Sequence, residues 1–180
     1  MLTALFKSEE RVKVLRYIMF RRAITVAEIS RATGVTKGLV SRFLRCLEKR
    51  ELLLREGRKY SPRDSAQTRA IKLLLNLESI DLSALNLGSA RSLGLYGSWA
   101  RGTNYHDSDL DLWIEAESLP AERELARLQR DLSLQVGSEV NLLMLTPEKL
   151  ERLKRENLPF YNALLLSSVT MRGEHLEDHR

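Results

Sequence analysis

Two aspartates that stand two positions apart are the residues of this sequence best suited to holding a divalent cation. Asp109 and Asp111 precede the apolar run Leu112–Ile114. We predict a mostly buried strand over residues 109–114, on which alternate side chains project from the same face. Two adjacent carboxylates repel each other unless a cation lies between them, and such oxygen ligands suit Mg²⁺ together with substrate phosphates. The pair therefore predicts a magnesium site.

A glycine–serine pair precedes these aspartates by ten residues. Gly97 lets the backbone approach a phosphate closely, because it has no side chain. Ser98 and the amides after it are predicted to begin a short helix, where free N–H groups and the helix dipole attract anions. Arg101 lies on the same predicted helix and has two roles open to it: it clamps a triphosphate, or it pairs with a nearby acid.

Residues 97–112 together resemble the nucleotidyltransferase signature of the DNA polymerase β superfamily, in particular its minimal nucleotidyltransferase branch. The Gly-Ser, the Ala-Arg-Gly and the Ser-Asp-x-Asp of this segment all match, and the resemblance covers about residues 93–173. It implies a catalytic pair, Asp109 and Asp111, that holds two Mg²⁺ ions. It also implies a nucleotide site made by Gly97, Ser98, Arg101 and Ser108.

The reaction that this resemblance implies is transfer of a nucleotide, with AMP from ATP favoured, to a hydroxyl group. The metal ions would neutralise charge on the leaving pyrophosphate and hold the attacking hydroxyl in line. Relatives of this small type modify antibiotics or proteins, including the toxin of a toxin–antitoxin pair. The expected acceptor is therefore a small molecule or a protein such as a cognate toxin.

The sequence departs from the family pattern at the third carboxylate. That acid normally comes from the middle of a later strand, and the corresponding residue here is Asn141. An amide can give an oxygen to a metal but cannot accept a proton. Glu139 lies two residues earlier and shares a face with Asn141, so it either replaces the acid or is only a solvated residue at the strand end. Two functions stay open: an active transferase, and a regulator or antitoxin that binds nucleotide or a partner without turnover.

The elements that would position these residues alternate between strands and helices. Strands are predicted over 92–96, 109–114, 139–145 and 169–172, and helices over 121–134, from Pro147, and over 160–166. This order predicts an α+β fold class. The resemblance implies that the unit is a nucleotidyltransferase α/β domain with a small mixed sheet.

The N-terminal part of the chain has the opposite charge to the rest. Residues 1–75 contain 18 Lys and Arg against 7 Asp and Glu, a net charge of +11, whereas the whole chain carries +5. A basic unit of this kind is a candidate for binding nucleic-acid phosphates. A merely solvated basic surface explains the same charge.

The pattern of residues 1–63 resembles the winged helix-turn-helix domains of prokaryotic transcription regulators. Three helices are predicted, capped by Ser8, Thr25 and Thr36, with a glycine turn at Gly34 and a hairpin around Gly57. The third helix would enter the DNA major groove and the hairpin would form the wing. A winged helix used only for protein contacts is the alternative. The predicted DNA-binding residues are Thr36, Lys37, Ser41, Arg42 and Arg45 on the helix, with Arg58 and Lys59 on the wing.

Three segments follow from this division: a winged helix DNA-binding domain (1–63), a helical connector (64–90) and a nucleotidyltransferase domain (91–180). Asp64 is predicted to cap the connector helix. Helical arms of this kind often mediate dimerisation, so a homodimer stays open. With one cysteine, Cys46, and no apolar run long enough to span a bilayer, we expect a cytoplasmic protein without disulfides or membrane contact.

Overall fold

The computed structural model describes residues 6–85 and 90–176 of the chain. The chain divides into two units, Met1–Lys72 and Leu73–Arg180, and the boundary falls inside a helix. The predicted segment boundaries at 63/64 and 90/91 stay predictions. Parts of the three predicted segments, residues 1–5, 86–89 and 177–180, lie outside the described part of the chain.

Three helices make up most of the first unit: α1 (Glu9–Met19), α2 (Val26–Thr33) and α3 (Lys37–Lys49). The predicted cap of α1 is confirmed, since the hydroxyl of Ser8 accepts the N–H of Arg11. Thr25 and Glu28 cap each other's backbone N–H groups at the start of α2 in a reciprocal capping box. The α2–α3 turn follows at Gly34, whose φ of +71° favours glycine.

Thr36 stands at the N-cap of α3 as predicted, but its side chain makes no capping hydrogen bond. Its backbone carbonyl accepts the N–H of Val40 instead. The hydroxyl of Thr36 is therefore not used to begin the helix.

A small antiparallel sheet completes the first unit. Its strands are β1 (Ile24–Thr25), β2 (Leu53–Glu56) and β3 (Lys59–Pro62), in the order β1-β3-β2. The hairpin of β2 and β3 is the predicted wing. Strand β1 was not predicted, because two residues are too few for an alternating pattern; it is defined only by its pairing with β3.

Helix α4 (Ala66–Glu78) runs across the boundary between the units. The hydroxyl of Ser65 accepts the N–H of Thr68 at 3.2 Å and so begins the helix. Asp64 was the predicted cap, and this prediction is wrong. Its carboxylate instead accepts two hydrogen bonds from the guanidinium of Arg69, at 2.8 and 2.9 Å. The long side chain of Arg69 spans the first turn of the helix to make them.

The second unit is built on a four-stranded sheet in the order β6-β5-β4-β7. Strands β5 and β6 are parallel, whereas β4 is antiparallel to both β5 and β7, so the predicted mixed sheet is confirmed. The elements are β4 (Ala90–Leu95), α5 (Gly97–Arg101), β5 (Leu110–Ala116), α6 (Glu122–Val136), β6 (Val140–Leu145), α7 (Pro147–Glu156), α8 (Leu158–Ser167) and β7 (Val169–Arg172), with a 3₁₀ turn at Leu82–Ala84 before them.

The central strand β5 separates two apolar cores. Leu110, Leu112 and Ile114 lie in the larger one with residues of α4 and α6. Trp113 points to the other side, where it packs with Leu164 of α8. Because side chains alternate along a strand, Asp111 lies on the face of Trp113. Among the described residues no helix is long and apolar enough to cross a bilayer.

Candidate functional site

Asp111 is the residue around which the predicted site is arranged. It is the second residue of β5 and is paired in register with Asn141 of the parallel strand β6. The amide Nδ2 of Asn141 donates to Oδ1 of Asp111 at 3.1 Å. Asn141 therefore lies within contact distance of the carboxylate, and its N–H group, which a third carboxylate would lack, faces Asp111.

Gly97 lies against the other carboxylate oxygen of Asp111. A Cβ atom placed on Gly97 would stand 2.3 Å from Oδ2 of Asp111, far inside van der Waals contact. Its φ of +66° is a backbone conformation that side chains disfavour. Tyr96 adds a backbone bond, since its N–H donates to the carbonyl of Asp111 at 3.0 Å. The start of α5 is thus held directly beside the carboxylate.

Asp109 is exposed and stands one residue before β5, not within it as predicted. Together with the partly exposed Asp111 it provides the hard oxygen donors that Mg²⁺ prefers. Among residues 6–85 and 90–176 there is no group of three or more His, Cys, Asp and Glu side chains that could hold a metal. Two carboxylates are a donor set that magnesium accepts when phosphates and water supply its further ligands.

Glu139 does not join these two aspartates in a three-acid cluster. It is exposed and stands one residue before β6, outside the strand predicted to contain it. Its carbonyl accepts the N–H of Leu110 at 2.8 Å and so aligns the start of β5 with β6. Glu139 therefore contributes to this region through its backbone carbonyl.

The loop between α5 and β5 is held by hydrogen bonds to Ser98 and Ser108. The carbonyl of Ser98 accepts the N–H of Thr103 at 3.0 Å. The hydroxyl of Ser108 accepts the N–H of Tyr105 at 2.9 Å, and its carbonyl accepts the indole N–H of Trp99 at 3.3 Å. Ser108 therefore shapes the loop that leads into Asp109.

Helix α5 contains only five residues and ends at the exposed Arg101. A helix this short has a small dipole, and most of its N–H groups have no partner within the helix. Affinity for a phosphate at this point would therefore rest on individual amides. Arg101 is exposed, as a residue that meets a ligand from solvent must be.

Tyr96 is a residue that the sequence analysis missed. Burial and, to a smaller extent, the negative charge of Asp111 raise the pKa of its phenol. Its ring packs edge-on against Phe160, with centroids 6.4 Å apart. The phenol thus stays protonated and is able to donate a hydrogen bond near the carboxylate. No spacing rule singles out this tyrosine, because its nearness to Asp111 arises from strand pairing.

The predicted DNA-binding residues lie on α3 and on the wing of the first unit. A groove of about 560 Å³ between α3, the wing and the start of α2 is lined by Ser41, Arg45 and Arg58. Arg55 lines it too and was missed; its guanidinium lies 5.5 Å from the ring centroid of Tyr60. Four of the predicted DNA-binding residues do not line this groove. They are exposed residues close in sequence to those that do: Thr36, Lys37, Arg42 and Lys59.

Two families of known proteins match separate parts of the chain. Residues 8–53 match the family described as "Bacterial regulatory protein, arsR family". Residues 81–165 match the family described as "Nucleotidyltransferase domain". A curated relative, protein adenylyltransferase MntA of Thermococcus cleftensis, is 33% identical over 54 residues. These cover 30% of the present chain and 54% of that relative, so the match spans about half of the relative's length.

The solved structures to which the chain is similar include a toxin–antitoxin crystal structure with AMP-PNP, at 19% identity and a TM-score of 0.39. It matches over 63% of the present chain and 78% of its own. A tri-AMPylated Shewanella oneidensis HEPN toxin in complex with an MNT antitoxin matches over 61% and 76%, at 14% identity and a TM-score of 0.35. By the two family matches, the chain joins a region similar to the helix-turn-helix of ArsR-family regulators (8–53) to a nucleotidyltransferase domain (81–165).

Proposed function

We propose that the C-terminal domain transfers AMP from ATP to a hydroxyl of a protein or small molecule, in a protein that also binds DNA. The observation that carries this proposal is Asp111 beside a glycine whose Cβ would collide with it, with Asp109 two residues away. Such an arrangement places the backbone at the start of α5 directly against a metal-binding carboxylate, where its amides would meet the phosphates of a metal-bound nucleotide. The name of the curated relative, an adenylyltransferase, favours AMP as the transferred group.

Asp109 and Asp111 would hold Mg²⁺, which supplies charge neutralisation on the triphosphate and the leaving pyrophosphate. Backbone amides of Gly97 and Ser98 would bind phosphate oxygens, and Arg101 would approach them from the exposed end of α5. The loop that contains Ser108 would set the position of Asp109. The acceptor class that we favour is a protein hydroxyl, such as one on a cognate toxin.

The test is label transfer from α-labelled ATP, CTP, GTP or UTP, with Mg²⁺ and host lysate as the acceptor pool. We expect label from ATP on a protein or small molecule, and its loss in Asp109→Asn and in Asp111→Asn. Each of these changes removes one metal-binding charge with almost no change in volume. Undiminished transfer by either variant would contradict the assignment of the carboxylates.

A second candidate function is a DNA-binding regulator whose nucleotidyltransferase domain binds nucleotide without turnover. The hydrogen bond from Asn141 to Asp111 favours it, because the position of the third acid holds a group that cannot accept a proton. Measurable Mg²⁺-dependent ATP binding without label transfer would support this candidate over the first.

DNA binding by the N-terminal domain is tested by the double change Arg42→Ala and Arg45→Ala. Both side chains are exposed on α3. If they contact phosphates or bases, affinity for the protein's own promoter falls, and the slope of log K against log salt decreases by about 2. Fluorescence anisotropy over a salt series measures both quantities.

The matched control is Arg123→Ala with Arg127→Ala, which removes the same charge from exposed positions on α6. It is expected to leave the salt slope unchanged. An equal loss in both double variants would mean that net charge, and not the surface of α3, determines the affinity.

A further inference from the structure

A pair of buried asparagines joins α4 to the loop that precedes the catalytic aspartates. Asn76 and Asn104 are each only 2% exposed, although they are 28 residues apart. Asn104 is buried, although it belongs to a loop whose His106 and Asp107 are exposed. Residue 76 also lies outside the range 81–165 that matches the nucleotidyltransferase family.

The two amides bind each other reciprocally. Nδ2 of Asn76 donates to Oδ1 of Asn104 at 3.0 Å, and Nδ2 of Asn104 donates to Oδ1 of Asn76 at 3.1 Å. The same Nδ2 of Asn76 donates to the carbonyl of Trp99 at 2.9 Å. Both amide hydrogens and the carbonyl of Asn76 are therefore used, which fixes the orientation of its side chain.

These bonds continue toward Asp109 through Trp99. The carbonyl of Trp99 is held by Asn76, and its indole N–H donates to the carbonyl of Ser108. Ser108 directly precedes Asp109. Both ends of the loop 102–109 are thus attached to one side chain of α4, directly at Asn104 and through Trp99 at Ser108.

We propose that Asn76 is a positioning residue of the nucleotide site, which holds the loop 102–109 so that Asp109 stands beside Asp111. This inference rests on the proposed function for its effect on nucleotide affinity. Its structural part, the fixing of the loop, stands independently. Because a buried amide that loses its partner is costly to leave unpaired, the loop has no equally good alternative place while Asn76 is present.

The test compares the full-length chain with Asn76→Ala and Asn104→Ala, each of which breaks the amide pair from one side. Thr68→Ala is the matched control, since Thr68 is 3% exposed on the same helix and bonds to Ser65, not to the loop. Two readouts are taken on each protein: amide hydrogen exchange by mass spectrometry, and the Kd for ATP in the presence of Mg²⁺.

We expect exchange in residues 102–109 to rise about tenfold in both asparagine variants and to stay unchanged in β5. The Kd for ATP rises by a similar factor in these variants and not in Thr68→Ala. Unchanged loop exchange in Asn76→Ala would overturn the proposal, and so would an equal rise in Thr68→Ala, which would indicate general loosening. If Asn76→Ala does not fold, Asn104→Ala decides by the same criteria, because its site is in the loop.

The two readouts also separate this inference from the proposed function. A wild-type chain that binds no ATP contradicts the proposed function, while the exchange of the loop still decides the role of Asn76.

Discussion

Replacing Asn141 by aspartate is expected to raise nucleotide transfer by about 10²–10⁴-fold, the range typical of a positioned general base. The reason is geometric: Asn141 already lies 3.1 Å from Asp111 in paired strands, so a carboxylate of equal size would enter without rebuilding the backbone once Mg²⁺ offsets its repulsion with Asp111. It would replace a group that cannot accept a proton by one that can. Initial rates of label transfer from α-labelled ATP measure the effect.

The control for this gain is Glu139→Gln in the wild-type background. If Glu139 acts as the base in place of Asn141, this change abolishes transfer, and Asn141→Asp adds little. We expect Glu139→Gln to leave the wild-type rate unchanged, because Glu139 is exposed and outside β6. No gain from Asn141→Asp in a folded protein that binds ATP would contradict the role assigned to this position.

Gly97→Ala is expected to reduce transfer and Mg²⁺-dependent ATP binding by about 100-fold or more, since a displacement of about 1 Å can cost this much. The added methyl group would meet Oδ2 of Asp111 at 2.3 Å, so the carboxylate or the start of α5 must move. The left-handed backbone adds about 1–2 kcal/mol of strain. Initial rates of label transfer and isothermal titration with ATP and Mg²⁺ measure the losses of transfer and binding. Thermal unfolding measures the cost of the strain to stability.

Gly137→Ala is the control that separates the effect of the steric collision with Asp111 from the effect of backbone strain. Gly137 has a φ of +71°, and a Cβ there would meet nothing within 4 Å. This variant should lose stability by a similar amount and keep its ATP affinity. Equal loss of affinity in both glycine variants would show that backbone strain, and not the contact with Asp111, is responsible.

Much of this fold is predictable from the sequence because its signals are local. The capping residues Ser8 and Thr25 and the alternation along residues 110–114 each depend on residues within a few positions. The Gly-Ser and Asp-x-Asp pairs have the same advantage. Their mutual contact, Gly97 against Asp111, was not predicted, because it depends on how β4 pairs with β5.

Features that depend on pairing between distant segments could not be predicted in this way. Strand β1 exists because Ile24 faces Tyr60 across the sheet. The phenol of Tyr96 has a raised pKa because burial and the charge of Asp111 act on it. The hydrogen bonds between Asn76 and Asn104 join residues that are 28 positions apart, and no periodicity in either segment predicts them. At the start of α4 the predicted cap Asp64 pairs with Arg69, and Ser65 caps the helix instead.

Helix α4 has a consequence for how this protein can be taken apart or recombined. The boundary between the units falls between Lys72 and Leu73, yet α4 runs without interruption from Ala66 to Glu78. A fragment cut at that boundary would begin in mid-helix, and one cut where the family match begins would also lose Asn76. The two domains therefore do not form freely exchangeable modules. A gene fusion that replaces either one keeps a complete helix only when its junction lies before Ser65 or after Glu78.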